Sequence, residues 1–300
     1  MCDGWSQYHL VSGGWYSVQP GMATEERYSD YDSFAWFYEK HWSREVPNQI
    51  FAVIDKLLLP RIPASGRMLD LCCGTGRTSA ALTERGFCVT GVDGSKEMLR
   101  YARRNAPGAD FILSDARSFT LAPVYDGIVS TFDSLNHVLH LKELKQVFRN
   151  AHAALAEGGL FLFDLIMEEG YLLRWQDFST IVGDDNICVL SAQYDQDQKI
   201  GRCDVAMFRL KGMAWHRRDI VIVEKCYSQS EVKTALKQSG FKEVSVYYAE
   251  NDFGLVDHAG RIFFLARKNS AASVNRTAKR EGVSKQPANH SNGRRKRKIE

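Results

Sequence analysis

The chain has 300 residues, 44% of them hydrophobic, and a formal net charge of +3 at pH 7. This length allows one or two domains with a sizeable core, and no stretch approaches the roughly 18 apolar residues of a membrane span, so we expect no membrane partner. The seven cysteines are scattered and form no C-x-x-C pair. Zinc and a disulfide framework are therefore disfavoured, no metal site is predicted, and reduced thiols in the cytoplasm are expected.

Residues 1–24 are interpreted as an irregular N-terminal extension, because Gly-Gly and Pro-Gly pairs alternate there with isolated aromatic residues. Met22 begins M-A-T-E-E-R-Y, which is itself an ordinary start, so residues 1–21 are interpreted as a disordered or mis-assigned segment. The alternative is that the segment forms an aromatic lid. The aromatic residues of that lid are Trp5, Trp15 and Tyr16.

Residues 33–42 and 47–59 show helical spacing of their apolar side chains. One face of the second segment carries Ile50, Ile54, Leu57 and Leu58. In the first segment Trp36 and Phe37 are interpreted as core residues. Two tyrosines are equally consistent with core packing and with contact to a cofactor or substrate, because tyrosine has an apolar face and a polar tip. These are Tyr31 and Tyr38.

A strand, a glycine turn, a helix and a second strand follow in close succession. Residues 68–76 read M-L-D-L-C-C-G-T-G, the helix T-S-A-A-L-T-E-R-G closes at Gly86, and F-C-V-T-G-V-D ends at Asp93. Gly74 and Gly76 allow the backbone to turn tightly beside a ligand, and the helix N-terminus offers unpaired N–H groups. An acid at the end of the second strand can accept hydrogen bonds from both ribose hydroxyls. The unit therefore predicts a nucleoside site.

The order of Asp70, Gly74, Gly76 and Asp93 resembles motif I of the class I S-adenosylmethionine (SAM)-dependent methyltransferases. In that family the acid at the Asp70 position helps to hold the methionine end of SAM. Cys72 stands where the family often has glycine. The rival interpretation is an NAD oxidoreductase, but the third small residue of G-x-G-x-x-G/A is a serine here, which counts against it.

The resemblance continues through three further motifs and covers residues 66–165. F-I-L-S-D-A (111–116) is similar to the third strand, whose Asp-Ala pair contacts adenine in the family. Residues 125–139 are similar to the fourth strand and the active-site segment, and 155–165 to the Gly-Gly turn into the fifth strand. The resemblance implies twelve cofactor-binding residues: Tyr31, Tyr38, Asp70, Cys72, Gly74, Gly76, Asp93, Gly94, Met98, Asp115, Ala116 and Phe132.

Candidate catalytic residues lie in S-T-F-D-S-L-N-H, residues 130–137, because ligands of open α/β sheets bind at the carboxyl ends of the strands. Asp133 is interpreted either as a group that accepts a hydrogen bond from the methyl acceptor or as the cap of the short helix after it. His137 is either a general base or other ligand contact, or a partner in a structural hydrogen bond. The segment lacks the proline pair typical of enzymes that methylate base amines.

The pattern after residue 165 indicates an inserted antiparallel β-sheet. Residues 141–156 form an amphipathic helix that we expect to end at Gly158-Gly159. Strands are predicted over 186–194, 203–210 and 218–225, then a helix with a Ser228-x-x-Glu231 capping box and a stop at Gly240, then strands 243–248 and 261–267. His216 and Arg217 are placed between inserted strands, as surface in preference to pocket mouth.

This arrangement resembles small-molecule methyltransferases whose relatives include sugar-amine N-methyltransferases. The predicted fold is a Rossmann-like, doubly wound, seven-stranded, mostly parallel sheet with the antiparallel insert. The methyltransferase core and its helical cover are assigned to 25–165, the insert to 166–226 and the rest of the core to 227–268. The insert also offers a face for a homodimer.

A basic tail is assigned to residues 269–300, and it ends G-R-R-K-R-K before its last two residues. From Lys268 to Glu300 there are ten basic and two acidic residues, so this part carries +8 and the rest of the chain −5. Its polar composition predicts a solvated, disordered tail, and the alternative is a nuclear-import or RNA-binding patch.

We therefore expect an enzyme that transfers a methyl group from SAM to a nitrogen or oxygen of a small molecule and releases S-adenosylhomocysteine. Two alternatives stay open: an RNA or protein methyltransferase recruited by the basic tail, and a catalytically silent SAM-binding protein. Nucleic acid is expected only at residues 268–300. The sequence does not identify the methyl acceptor.

Overall fold

The computed structural model describes residues 30–43 and 46–269 of the chain. The aromatic lid of the N-terminal extension and the disordered state of the tail were both predicted for residues outside these ranges. Across the described ranges we find no helix with the length and apolar character of a membrane span.

The strands, in chain order, are β1 (Arg67–Leu71), β2 (Cys88–Asp93), β3 (Asp110–Leu113), β4 (Tyr125–Ser130), β5 (Leu155–Ile166), β6 (Phe178–Gly183), β7 (Asn186–Asp195), β8 (Ile200–Lys211), β9 (Ala214–Lys225), β10 (Glu243–Tyr248) and β11 (Arg261–Arg267). The α-helices are α1 (Asp30–Phe37), α2 (Val46–Leu57), α3 (Arg77–Glu84), α4 (Lys96–Asn105), α5 (Leu141–Ala154), α6 (Glu168–Arg174), α7 (Gln229–Gln238) and α8 (Ala249–Phe253). A π-helical turn, Tyr38–Trp42, continues α1, and 3₁₀ turns span Leu59–Arg61, Ser134–His137 and Val256–His258.

The main sheet has seven strands in the order β10-β11-β5-β4-β1-β2-β3. Five contiguous strands, β1 to β5, pair in parallel, and β11 lies antiparallel between β5 and β10. One core cluster joins the sheet to α5 and α7, and a second joins the opposite face to α2 and α3. Helices therefore cover both faces, which confirms the predicted Rossmann-like, mostly parallel sheet.

A separate antiparallel sheet has the order β6-β7-β8-β9, which confirms an antiparallel insert after the fifth strand. It contains four strands where the sequence predicted three. The strand that was not predicted is β6. It is an edge strand whose side chains are mostly exposed, so it lacks the alternation of apolar and polar residues that is typical of a half-buried strand. The hairpin between β7 and β8 is also tighter than predicted, and His216 and Arg217 lie on β9, exposed and outside the cavity described below, not between strands.

The predicted helix over 141–156 ends earlier than expected, at Ala154. Leu155 already pairs with Tyr125 in the main sheet, and Gly158, with φ +79°, lies inside β5 near an irregularity in the β4–β5 register. Leu155 is fully buried. A buried leucine satisfies the helical spacing and the strand equally well, so periodicity did not locate this boundary.

Two other local predictions are confirmed. The aliphatic face of α2 is buried, and the capping box of α7 has both reciprocal hydrogen bonds, between Ser228 and Glu231. Gly240 follows α7 in the left-handed region, with φ +107°, where glycine carries no steric cost.

Candidate active site

The carboxyl ends of β1, β2 and β4 open into a cavity of about 930 Å³. The chain goes from β1 to β2 and β3 on one side and then continues with β4 on the other side of β1, so the switch point lies between β1 and β4. Crevices at such switch points bind ligands in open α/β sheets. The cavity continues beneath α1 to the second sheet, where Leu190, Ile222 and Glu224 contribute to its wall. A site built only on the nucleoside motif would be smaller.

Two glycines in the turn after β1 have different reasons to be glycine. Gly74 has φ +52° and lines the cavity, and among the described residues a Cβ built on it would meet only Tyr38 within 4 Å, at 3.8 Å. Gly76 has φ +78° and does not line the cavity; its Cβ would lie 2.8 Å from the Cα of Ala102. Gly76 thus allows α3 and α4 to pack closely, which differs from the cofactor contact expected of it.

The two carboxylates of the nucleoside motif, Asp70 and Asp93, both line the cavity. The backbone N–H groups of Gly74 and Ser95 donate to the two oxygens of Asp93, each at 2.8 Å. Burial raises the pKa of Asp93 to about 6, against the effect of these hydrogen bonds. Ser79 donates to Asp70 at 2.6 Å, and burial raises the pKa of Asp70 to about 7. Ser79, the residue that departs from the dinucleotide pattern, therefore binds a site carboxylate.

The loop after β3 differs from expectation at Asp115. Its carboxylate accepts from the guanidinium of Arg117 at 2.6 and 2.9 Å and is not part of the cavity wall. Ala116 does line the cavity, as does Ser114 on the other side of Asp115. Asp115 thus forms a local ion pair outside the cavity wall, away from the place expected of a residue that contacts adenine. Gly94, Met98 and Cys72, which were predicted to bind the cofactor, line the cavity.

Helix α1 covers the cavity, and two acidic side chains of α1 and the π-helical turn after it hold this cover in place. Asp32 accepts from the Ser95 hydroxyl at 2.5 Å and from the Glu97 N–H at 3.0 Å, so it binds the N-terminus of α4. Glu39, in the π-helical turn, pairs with Arg77 at the start of α3. These contacts join the cover to the elements that flank the glycine turn.

The aromatic residues of the cover separate into two groups. Tyr31, Phe34 and Tyr38 line the cavity, while Phe37 is buried in a cluster shared with the second sheet. Trp36 is partly exposed and stacks under the Arg209 guanidinium, whose central carbon lies 3.9 Å from the ring centroid. Trp36 is therefore only partly buried, whereas the sequence analysis interpreted it as a core residue.

Asp133 is not the helix cap considered from sequence. Its side chain makes no capping hydrogen bond and accepts instead from the Arg261 guanidinium at 2.7 Å. Phe132 and Asp133 both have positive φ, +66° and +48°, and their N–H groups donate to Asp164 at 2.8 and 3.0 Å. Arg261 also pairs with Asp164. A buried triad thus shapes the segment after β4.

Sequence reasoning missed Asp164 and Arg261, although each leaves a signal. Asp164 interrupts the apolar run F-L-F-D-L of β5, and Arg261 begins the apolar run of β11. Charged residues in fully buried strands are almost always paired, so the two could have been matched. They lie 97 positions apart, and only the β5–β11 pairing brings them together.

His137 makes structural contacts and also lies in the cavity wall. Its Nε2 lies 2.9 Å from the Tyr31 hydroxyl and 3.7 Å from Oε1 of Glu224, and its Nδ1 lies 3.4 Å from the Val223 carbonyl oxygen. His137 also lines the cavity, with Tyr31 and Glu224. The imidazole is therefore oriented by structural contacts and faces the cavity.

Residues 68–159 match the family described as a methyltransferase domain. The provisionally named methyltransferase YqeM of Bacillus subtilis is 28% identical over 244 residues, which cover 80% of this chain and 97% of YqeM. The chain therefore contains a methyltransferase domain of the class I, SAM-dependent type. A dTDP-3-amino-3,4,6-trideoxy-alpha-D-glucopyranose N,N-dimethyltransferase of Streptomyces venezuelae is 29% identical over 111 residues, 37% of this chain and 47% of that enzyme.

Solved methyltransferases share the fold over most of their length. A SAM-dependent methyltransferase from Clostridium acetobutylicum superposes with a TM-score of 0.66 at 21% identity, covering 80% of this chain and 99% of its own. The sugar N-methyltransferase KedS8 from Streptoalloteichus superposes with a TM-score of 0.64 at 18% identity, covering 88% of this chain and all of its own.

Proposed function

We propose that this methyltransferase acts on a nitrogen or oxygen of a small molecule held in the outer part of the cavity. One observation carries the proposal: the cavity continues from the glycine turn, past Tyr31 and Tyr38, to the wall formed by the second sheet. An acceptor of metabolite size would fit beneath α1. The names of KedS8 and the Streptomyces venezuelae enzyme, both N-methyltransferases of sugars, support a small acceptor.

The residues around the glycine turn fit SAM. Asp93 has a carboxylate suited to the ribose hydroxyls, and Asp70 is a buried acid suited to the cationic end of the cofactor. An apolar wall suited to adenine is formed by Cys72, Val92, Met98, Ala116 and Val138. SAM supplies an electrophilic methyl group, and the chain has to orient the acceptor and exclude water.

Asp133 and His137 are proposed to face the acceptor. Both follow β4 and line the cavity. Because Asp133 is bound by Arg261, we propose that it acts as a fixed hydrogen-bond acceptor and does not serve as a cap. His137 is proposed to orient or deprotonate the acceptor, with Tyr31 beside its Nε2.

We expect the affinity for SAM to fall as the pH decreases below about 7. Binding requires the ionised form of Asp93, and burial raises its pKa to about 6 in the free protein, so the contribution of Asp93 is present above that pH and is lost below it. Asp70, whose pKa burial raises to about 7, adds a loss that begins at higher pH. The contribution of Asp93 alone should fall about tenfold by about pH 5. Calorimetric titration across this range checks it.

Asp93→Asn provides the control for that titration. This variant should bind SAM more weakly by roughly 2 kcal/mol, because hydrogen bonds to a charged acceptor are worth about 1.5–3 kcal/mol. Its affinity should also lose the contribution of Asp93 to the pH dependence. An affinity that matches the wild type in a folded variant would contradict the ribose contact.

The substrate class is tested with methyl-labelled SAM and separate fractions of metabolites, RNA and protein. The expected result is label in a small molecule, identified by mass spectrometry. Label confined to RNA or protein would contradict the proposal and favour recruitment by the basic tail. No transfer to any fraction by a protein that binds SAM would favour a silent SAM-binding protein.

Deletion of residues 270–300 should leave turnover of the small acceptor within about two-fold, because this segment lacks the apolar residues needed to join a core. Turnover of the full chain and the truncated chain is compared at two salt concentrations. A collapse of activity, together with steep salt sensitivity of the full chain, would indicate that the tail binds a polyanion.

A further inference from the structure

Glu224, on β9 of the second sheet, is a buried carboxyl group in the cavity wall that sequence reasoning did not identify. It is 2% exposed, and the Tyr171 hydroxyl donates to its Oε2 at 2.7 Å. Its Oε1 lies 3.7 Å from Nε2 of His137. Among residues 30–43 and 46–269, no lysine or arginine forms an ion pair with it.

The surroundings of Glu224 contain more acid than base. Burial and the nearby Asp133 raise the pKa of Glu224 well above its ordinary range, while Tyr171 and Arg261 act in the opposite direction. Arg261 is shared between Asp133 and Asp164. The carboxyl groups of Asp133, Asp164 and Glu224 thus all lie near the guanidinium of Arg261. The remaining titratable neighbours are His137, Tyr31, Tyr171 and Cys203.

The other guanidinium groups of the cavity wall have partners of their own. Arg77 pairs with Glu39 and Arg202 with Asp204. Arg174 donates to the carbonyl oxygen of Ala259 at 2.6 Å and lies within the electrostatic field of Asp133. Buried carboxylates are stable when they are paired with a cation. The cluster formed by Glu224, Asp133, Asp164 and Arg261, here called the acidic cluster, is therefore suited to a ligand with a positive charge.

The acidic cluster and the cofactor end belong to the same cavity. Tyr31 and Tyr38 join them: the Tyr31 hydroxyl lies 2.9 Å from Nε2 of His137, which is 3.7 Å from Oε1 of Glu224, and Tyr38 lies 3.8 Å from the Cβ position of Gly74. A group bound at Glu224 would therefore approach the transferred methyl from the side of the second sheet.

We propose that Glu224 and Asp133 bind an ammonium group of the acceptor and that Glu224 is a catalytic residue that removes its proton. This inference rests on the proposed small-molecule function and assigns the acceptor to the aliphatic amines. The nitrogen loses one proton to the Glu224 carboxylate and regains its lone pair. That pair forms the bond to the methyl carbon, and sulfur keeps the electrons of the broken C–S bond. The products are the N-methylated ammonium form of the acceptor and a neutral thioether.

The test uses two matched pairs of probes: cyclohexylamine with cyclohexanol, and benzylamine with benzyl alcohol. Binding to the protein saturated with S-adenosylhomocysteine is measured by calorimetry. The wild type should bind each amine more tightly than its alcohol, and Glu224→Gln should weaken amine binding by about 10–100-fold, since it removes a charged acceptor. Equal binding of amine and alcohol, binding of neither, or a preference that survives in Glu224→Gln would contradict the proposal.

Methyl transfer to the amines gives a second readout. Glu224→Gln should lower the rate by about 100-fold, the typical contribution of a general base. Its remaining rate should increase about tenfold per pH unit, following the fraction of neutral amine in solution, whereas the wild type should show a flatter profile. Equal profiles would contradict the assignment of Glu224 as the base.

Two variants separate this role from a structural one. Tyr171→Phe removes the buried hydrogen bond but keeps the Glu224 carboxylate, so it should keep the preference for amines. Glu243→Gln removes an exposed carboxylate and should behave as the wild type. If Tyr171→Phe reproduces Glu224→Gln, then Glu224 is structural. Label found only in RNA or protein contradicts the small-molecule function, whereas a metabolite methylated on oxygen contradicts only this inference.

Discussion

Arg261→Met should destabilise the protein by about 3–5 kcal/mol, the usual cost of removing one partner from a buried ion pair. The substitution leaves Asp164 buried without its guanidinium and frees Asp133 from its ion pair. The left-handed backbone at Phe132 and Asp133 would lose part of its support, because both N–H groups depend on Asp164. Urea denaturation, with the slope compared between variants, measures the change.

Arg267→Met is the matched control for Arg261→Met. It lies on the same strand, but its side chain is partly exposed and its ion pair with Glu243 is at the surface. Exposed pairs contribute about 0–1 kcal/mol. A loss of stability in Arg261→Met no larger than in Arg267→Met would show that the triad does not stabilise the fold.

Gly74→Val should raise the Kd for SAM by at least about 100-fold, or about 2.8 kcal/mol, while the main sheet still forms. The residue has φ +52°, which a β-branched side chain opposes, and the new methyl groups would enter the cavity beside Tyr38. Calorimetric titration with SAM measures the affinity, and circular dichroism reports the fold.

Gly86→Val separates the loss of space from the strain in the backbone. Gly86 has φ +87°, and a Cβ there meets none of the described residues within 4 Å, so the variant carries similar strain away from the cavity. It should lose stability and keep its affinity for SAM. If both variants bind SAM as the wild type does, the glycine turn does not contact the cofactor.

Local features of the site were predictable from sequence because their physical causes act between near neighbours. The strand–turn–helix unit located Asp70, Gly74 and Asp93 at the cavity, and the capping box located the start of α7. Backbone hydrogen bonding, glycine at positive φ and the period of apolar residues all act within a few positions. The order of these units was enough to predict the mostly parallel sheet.

Contacts between residues that are far apart in the sequence were not predictable in this way. Asp133 meets Arg261 across 128 positions, and Tyr171 meets Glu224 across 53, because strand pairing and the second sheet bring them together. Gly76, whose positive φ suits the predicted turn, is constrained as well by the backbone of Ala102, a contact that local pattern did not indicate. The sequence by itself therefore determined the mostly parallel sheet and the presence of Asp70, Gly74 and Asp93 at the cavity. Tertiary structure decided the partners of Asp133 and Glu224, since those depend on which side chains share a buried, low-dielectric space.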